Sequence, residues 1–350
     1  MRRVAGLDGI RGLLALYVVA HHCWLLCHPG YPANTGSFWG GWLIHGRLAV
    51  VAFITLSGFS LALAPARDGW RLGGVLRFAR RRARRILPAY WAALAVSLVL
   101  AGSLPMTHIP TEASAVVYGL LLQDFVAAPA PNGAFWSIAV EAGLYVLFPL
   151  LVLLRRRAGT VVTLVAVCAP VTAIGLFRPD TIGYTWQMAP LFAMGAVAAG
   201  AVRTRGVPWA LLAALAATPV LVVVVWKGSV WTAGHYFWID LAAGPAIALF
   251  LVAVATGRPA ALVRLLTIRP VALLGWCSYS LYLMHVPVVG LVVHVLGASF
   301  GTTVAVAVPA SVVTASVFAR LFEGRTGMDH RAGPVAVVPA VERATAGHQA

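Results

Sequence analysis

Ten stretches of mostly apolar residues, each about long enough to cross a bilayer, recur along the chain and constrain its fold more than any other feature. About 20 apolar residues cross a bilayer as one helix. The composition agrees, since 61% of the 350 residues are hydrophobic and only 10% are charged, against roughly a quarter in soluble domains. We therefore predict an all-α polytopic membrane protein with about ten transmembrane helices, and a water-soluble globule is excluded. The stretches are residues 10–27, 46–64, 88–104, 134–154, 160–177, 184–202, 207–226, 238–256, 271–296 and 301–321.

The basic residues predict how these helices are oriented. With the N-terminus in the cytoplasm, 23 of the 26 lysines and arginines fall on the inner side, which leaves Arg47, Arg178 and Lys227 outside. Basic residues favour the cytoplasmic side of membrane proteins, so both termini are expected there. This clustering accounts for the formal charge of +16 without nucleic acid, and the lipid bilayer is the expected partner. Of the 26 lysines and arginines only Lys227 is a lysine, and this preference for arginine indicates a GC-rich bacterial genome. The expected location is therefore a bacterial cytoplasmic membrane.

Residues 113–127 are apolar enough to suggest a further span, but the parity of the loops argues against it. An extra crossing there would move the triplet 155–157 outside and invert every later loop. We therefore expect a re-entrant or interfacial helix on the outer side. The membrane domain is expected to cover residues 1–323, and the tail at 324–350 is expected to be disordered in the cytosol.

Ionisable residues in the first span are candidates for function, because a charge inside a bilayer is costly. Arg11 and His22 are separated by about three helical turns, and Asp8 precedes Arg11 by one turn. These side chains are expected to share one face from the cytoplasmic surface to about mid-membrane and to face an aqueous cavity. Alternatively, His22 bonds a neighbouring helix and serves packing. Since His21, His22 and His28 lack the spacing of metal ligands, no metal is expected.

Two later spans carry further polar residues. Glu141 is expected about 10 Å below the outer surface, where it either joins an ion pair between helices or takes a direct part in the site. In the ninth span, Tyr279, Tyr282 and His285 follow one another at spacings of three and share roughly one face. Helix packing alone would account for the tyrosines, but a second buried histidine favours a polar chamber that binds substrate.

A run of six arginines in residues 77–85 precedes the third span. Such a run is typical of a positive-inside anchor that contacts anionic lipid. Guanidinium groups also bind phosphate oxygens bidentately. The run therefore has a second interpretation, as the binding site of a phosphorylated cytosolic ligand.

Five sequence blocks together resemble the acyltransferase 3 family of integral-membrane O-acyltransferases, over residues 7–323. LDGIRGLLALYVVAHH is similar to the opening motif, in which an Arg and a His fall on Arg11 and His22. RRARRILPAYW is similar to the cytoplasmic arginine motif, and AFITLSGFSLA, FWSIAVEAGLYVLFPLL and SYSLYLMHVPV resemble three further blocks. The closing block of the family usually reads Glu, any residue, Pro, whereas Gly324 and Arg325 follow Glu323 here.

The resemblance implies transfer of an acyl group, commonly acetyl, from acyl-CoA to a hydroxyl of a sugar, glycan or glycosylated metabolite. In this interpretation His22 is the general base, because imidazole titrates near the operating pH, and Asp8 or Glu141 supports it. Arg11 would assist the pantetheine path or the thioester carbonyl. Tyr279, Tyr282 and His285 would bind substrate, and the coenzyme A phosphates would bind Arg81, Arg82 and Arg85.

Three alternatives remain open at this point. A multi-pass transporter of a small polar solute would also place histidines and carboxylates near the midplane, although no repeat pairs two broken helices. A structural or sensory membrane protein without turnover is a second. A covalent acyl-enzyme on Ser57 or Ser137 is the third, although neither serine has an evident local base in the sequence.

Overall fold

The computed structural model describes residues 4–36, 40–101, 103–104, 109–178 and 185–323, and the secondary structure in these ranges is helical. The predicted tail at 324–350 lies outside the described residues. The helices, in chain order, are α1 (Leu7–Cys27), α2 (Arg47–Arg67), α3 (Val75–Leu100), α4 (Glu112–Gly119), α5 (Trp136–Phe177), α6 (Met188–Ala198), α7 (Trp209–Gly234), α8 (Tyr236–Ala255), α9 (Ala260–Thr267), α10 (Arg269–Trp276), α11 (Ser278–Leu296) and α12 (Phe300–Phe322).

Eight of the described helices are long and apolar enough to cross a membrane, which confirms an all-α polytopic membrane protein. The count differs from ten for two reasons. The fourth and fifth predicted stretches are counted together as the 42-residue element α5, but its backbone leaves the helical conformation at Gly159, with φ 84° and ψ −177°, so that two helices meet there as predicted. The sixth is the shorter apolar segment Met188–Arg203.

The structure corrects the ninth predicted stretch, 271–296, which is two helices rather than one. α10 ends at Trp276 and α11 begins at Ser278, because Cys277 leaves the helical conformation with φ −98° and ψ 11°. Just before this break, Gly275 lies directly on α1, where an added Cβ would be 2.0 Å from the Asp8 carbonyl oxygen. This contact fixes the inner end of α1 against the end of α10, just before α11 begins.

In the segment 113–127, the described helix is α4, with eight residues. A helix of eight residues rises about 12 Å and cannot cross a bilayer. The segment therefore does not form the extra crossing that loop parity argued against.

α2 and α6 pack with their backbones in contact. A Cβ added at Gly195 would lie 1.9 Å from the carbonyl oxygen of Thr55, and one added at Gly58 would lie 2.1 Å from that of Phe192. Small residues at such crossings allow helices in lipid to gain packing contacts that lipid tails do not offer. The crossing holds α2, whose opposite side carries the polar residues described next.

Candidate active site

A cavity of about 360 Å³ enters the helix bundle between α1, α2, α3, α5 and α11. Along α2 its lining extends from Val50 to Arg67, which corresponds to about 25 Å of helix. Four arginines and two carboxylates line it, so its charge is net positive: Asp8, Arg11, Arg67, Arg82, Arg85 and Glu141.

The arginine run of α3 divides into two faces, as the helical period requires. Arg82 and Arg85 line the cavity. Arg81 does not: it is exposed and borders a separate depression of about 290 Å³ with Arg77, Arg80 and Arg84. The structure therefore brings two of the three predicted phosphate ligands together at the cavity and turns the third away from it.

Arg82 is the more enclosed of the two cavity arginines. Its guanidinium carbon lies 5.9 Å from the centre of the Phe78 ring. Its Nε atom is buried, and it has no hydrogen-bond partner among the described residues. A buried donor without a partner is costly, so this guanidinium is suited to an anionic ligand that enters the cavity.

On α1, Arg11 is held between two partners on the cavity wall. Its Nη1 donates to Oδ1 of Asp8 at 2.9 Å, and its Nη2 donates to Oγ of Ser60 at 2.7 Å. The predicted pairing of Asp8 and Arg11 at the inner end of α1 is thus present in the structure. Ser60 on α2 is a partner that sequence reasoning did not identify.

Halfway along the cavity, Glu141 accepts two hydrogen bonds from hydroxyl groups. Oε1 of Glu141 accepts from Ser57 at 2.8 Å and from Tyr145 at 2.5 Å. The sequence around Ser57 offers no local base, and the structure brings a carboxylate from α5 to it instead. The i,i+4 spacing of Glu141 and Tyr145 is a helical signal by which this pair could have been found.

Two aromatic rings line the outer part of the cavity. Phe53 and Tyr282 lie with their ring centres 6.1 Å apart, and both line the cavity. The hydroxyl of Tyr282 lies 2.7 Å from Oγ of Ser137 and donates to the carbonyl oxygen of Ala134 at 3.0 Å. These bonds tie α11 to the start of α5. We call Phe53 and Tyr282 the aromatic wall.

The two predicted histidines meet just beyond the aromatic wall and are absent from the cavity lining. Nε2 of His285 lies 3.1 Å from Nδ1 of His22, and the His285 ring centre lies 5.7 Å from that of Tyr282. The predicted polar face of α1 is therefore divided, with Asp8 and Arg11 on the cavity and His22 about 21 Å along the helix from Asp8.

The hydrogen bonds of this histidine pair define which nitrogens carry protons. Nδ1 of His285 lies 2.7 Å from the carbonyl oxygen of Tyr282, and Nδ1 of His22 lies 2.9 Å from that of Val18. A carbonyl oxygen only accepts, so a proton on each Nδ1 satisfies both contacts; in that tautomer the lone pair of His285 Nε2 faces Nδ1 of His22, whose one proton is shared between His285 and the Val18 carbonyl. Nε2 of His22 then keeps its lone pair, and it has no hydrogen-bond partner in the described part of the chain.

The structure gives His22 a different partner from the one expected. A carboxylate from Asp8 or Glu141 was expected to support it, but Asp8 bonds Arg11 and Glu141 bonds Ser57 and Tyr145. The side chain that contacts the His22 ring is that of His285. Because His285 is fully buried and lies on another helix, its contact with His22 could not be read from helical spacing.

Two residues singled out in the sequence remain, Tyr279 on α11 and Glu323 just after α12. Tyr279 lines the cavity and donates to the carbonyl oxygen of Ile86 at 3.2 Å. At the end of α12, Oε1 of Glu323 accepts from the backbone N–H of Ser280 at 3.0 Å. Burial raises the pKa of the Glu323 carboxyl above its ordinary value, and the bonds from Ser280 oppose that shift. The residue of the closing block therefore fixes α11 to α12.

Comparison with protein families gives one match that covers most of the chain. The family model described as an acyltransferase domain, acyltransferase 3, matches residues 4–320. No solved structure matches the chain.

Among characterised sequences, the chain is 24% identical over 344 residues to YrhL of Bacillus subtilis, named as a candidate peptidoglycan O-acetyltransferase, with 82% of this chain and 49% of that protein covered. It is 23% identical to the O-acetyltransferase OatA of Staphylococcus aureus, covering 82% and 51%. Nodulation protein 10 of Rhizobium leguminosarum is 29% identical over 184 residues, covering 45% and 48%. The chain spans about half the length of these relatives.

Proposed function

Because this chain belongs to the acyltransferase 3 family, we propose that it is an integral-membrane O-acyltransferase that moves an acetyl group from acetyl-CoA to a hydroxyl of a glycan. The observation that carries the proposal is the contact of His22 with His285, in which Nδ1 and Nε2 lie 3.1 Å apart, next to a cavity lined by arginines. The arginines lie at the inner end of the cavity and His22 lies toward the outer end of α1. This order supports entry of the donor from the cytoplasm and of the acceptor from the outer side. The membrane is proposed to be a bacterial cytoplasmic membrane.

The donor is proposed to bind with its phosphates at Arg82 and Arg85. A guanidinium forms charge-assisted, bidentate bonds with phosphate, and the buried Nε of Arg82 has an unused donor. The pantetheine arm would then follow the cavity past Arg11 and Ser57 toward the aromatic wall. In this arrangement Arg11 contacts the arm rather than the reacting carbonyl, since it lies about 16 Å along α1 from His22.

Acyl transfer requires one base and no change of oxidation state. The acceptor oxygen attacks the thioester carbonyl carbon while its proton passes to Nε2 of His22. The C–S bond then breaks, and the imidazolium returns the proton to the sulfur, so that coenzyme A leaves as the thiol. A positioned base of this kind contributes about 10²- to 10⁴-fold to a rate. His285 stabilises the imidazolium by accepting from Nδ1.

The glycan acceptor is proposed from the relatives, since YrhL and OatA carry names that refer to peptidoglycan or O-acetyl transfer. The test is release of free coenzyme A by the purified protein in detergent, with acetyl-CoA as donor and solubilised cell-wall glycan as acceptor. We expect thiol release together with a mass increase of one acetyl group on the glycan. A transporter of a small polar solute would release no thiol and leave the glycan unchanged.

A further inference from the structure

The outer end of the cavity is lined mainly by apolar side chains, with Ser137 beside them, in contrast to its charged inner end. Beside the aromatic wall of Phe53 and Tyr282, the side chains of Val50, Ile54 and Ile138 line this end. Val50, Ile54 and Ile138 are each at most 7% exposed. A ligand that enters along the arginines therefore contacts mainly apolar side chains at the outer end of the cavity.

The aromatic wall is fixed from both sides. Tyr282 is held by its hydrogen bonds to Ser137 and Ala134. On the other side of Tyr282, the fully buried ring of His285 lies with its centre 5.7 Å from that of Tyr282. Protein interiors are close-packed and do not yield readily to added volume.

We propose that Phe53, packed on Tyr282, sets the length of the acyl group that the protein accepts. The inference rests on the proposed function, in which the thioester end of the donor reaches the outer end of the cavity. With the phosphates held at the arginines, each methylene added to the acyl group would extend toward the Phe53 ring. The substrate class is therefore a thioester with a short acyl chain, and acetyl is preferred over butyryl.

Phe53 is the member of the wall that can be changed without loss of polar contacts. Tyr282 carries hydrogen bonds, whereas Phe53 contributes volume only. Discrimination of one methylene by an apolar pocket is worth about 10- to 200-fold in kcat/KM. Truncation of Phe53 to alanine or leucine frees volume at the outer end and weakens that discrimination.

The test measures kcat/KM for acetyl-, propionyl- and butyryl-CoA with the full-length protein in detergent and cell-wall glycan as acceptor. For Phe53→Ala and Phe53→Leu, we expect the ratio of butyryl to acetyl transfer to rise by about tenfold or more over the unsubstituted protein. Phe59→Leu is the matched control, because Phe59 lies on the same helix, is fully buried and is absent from the cavity lining. For Phe59→Leu, the ratio of butyryl to acetyl transfer is expected to stay within about twofold of that of the unsubstituted protein.

An unchanged ratio in Phe53 variants that still transfer acetyl would overturn the inference while leaving the proposed function intact. So would equal use of butyryl and acetyl by the unsubstituted protein. Loss of all transfer by both folded Phe53 variants would also overturn it, since the inference gives Phe53 a role in fit and none in chemistry. If the unsubstituted protein consumes no thioester at all, the proposed function fails first.

Discussion

At the scale of single residues, the proposed base His22 is oriented by its contact with His285. In the proposed mechanism, Nδ1–H of His22 is shared between the Val18 carbonyl and Nε2 of His285, and the other nitrogen of His22 acts as the base. The arrangement serves the same purpose as the carboxylate in a serine-protease triad, which orients the base and stabilises its charged form. Here a neutral imidazole does so in a buried setting where a second charge would be costly.

We therefore expect His285→Leu to lower kcat by about 10²-fold, because His22 loses the group that fixes its orientation. His285→Gln should retain more activity than His285→Leu, since its amide oxygen also accepts a hydrogen bond. The measurement is acetyl transfer at saturating acetyl-CoA, with the KM for acetyl-CoA changing less than about twofold. His294→Gln, on the exposed side of the same helix, is the control. Equal activity of the Leu and Gln variants would contradict the positioning role.

The two faces of α3 lead to a second prediction at this scale. Arg82→Ala should raise the KM for acetyl-CoA about tenfold or more, because one charge-assisted bond contributes roughly 1.5–3 kcal/mol. Arg81→Ala should raise it less, since Arg81 lies on the depression outside the cavity. Arg77→Ala, on that same outer face, should leave the KM within about twofold. The measurement is a titration of acetyl-CoA at fixed acceptor, and an equal rise for Arg81 and Arg82 would show that the cavity does not bind the donor.

At the scale of helices, close contacts between backbones position the polar residues. α2 presents Phe53, Ser57 and Ser60 to the cavity because its other side is pressed onto α6 at Gly58 and Gly195. The contact with α6 therefore sets the rotation of α2, although the glycines that form it carry no side chain of their own.

Gly195→Ala tests this crossing. Its Cβ would lie 1.9 Å from the Thr55 carbonyl oxygen, and overpacking of this kind costs about 1–3 kcal/mol. We expect the midpoint of thermal unfolding in detergent to fall by several degrees, together with a loss of transfer. Gly143→Ala is the matched control, since nothing lies within 4 Å of its added Cβ. A Gly195→Ala protein as stable as the Gly143→Ala protein would refute the tight crossing.

Helical periodicity predicted arrangements within single helices and missed the contacts between helices, for a physical reason. The apolar stretches, the shared face of Asp8 and Arg11, and that of Tyr279 and Tyr282 follow from spacing within one helix, whereas His22 and His285, predicted on the same two faces, do not line the cavity. Ser57 with Glu141, Arg11 with Ser60, and His22 with His285 each join two helices. Such contacts depend on helix order and rotation in the bundle, which the spacing of residues along one chain does not determine.

At the scale of the whole molecule, the charges and the cavity agree on one direction. The cavity begins among Arg67, Arg82 and Arg85, on the side to which the positive-inside rule assigns the cytoplasm, and ends at the aromatic wall. His22 lies beyond the wall, toward the outer end of α1. A donor made in the cytoplasm and an acceptor outside would thus meet at the wall.

This direction predicts which face of the membrane consumes the donor. Inside-out vesicles should release thiol from added acetyl-CoA, whereas sealed right-side-out vesicles should not, because acetyl-CoA is charged and does not cross the bilayer. Detergent added to the right-side-out vesicles should restore the release. Equal rates in the two sealed preparations would contradict the orientation.

In the proposed reaction His22 takes the proton of the acceptor hydroxyl, and a comparison of acetyl-CoA binding with acetyl transfer in His22→Ala tests this step. We expect this variant to bind acetyl-CoA with a dissociation constant within about twofold of the unsubstituted protein, and its transfer of labelled acetyl to cell-wall glycan to fall by at least about 10²-fold. Full transfer by a purified His22→Ala protein would contradict the account, whatever the other variants show.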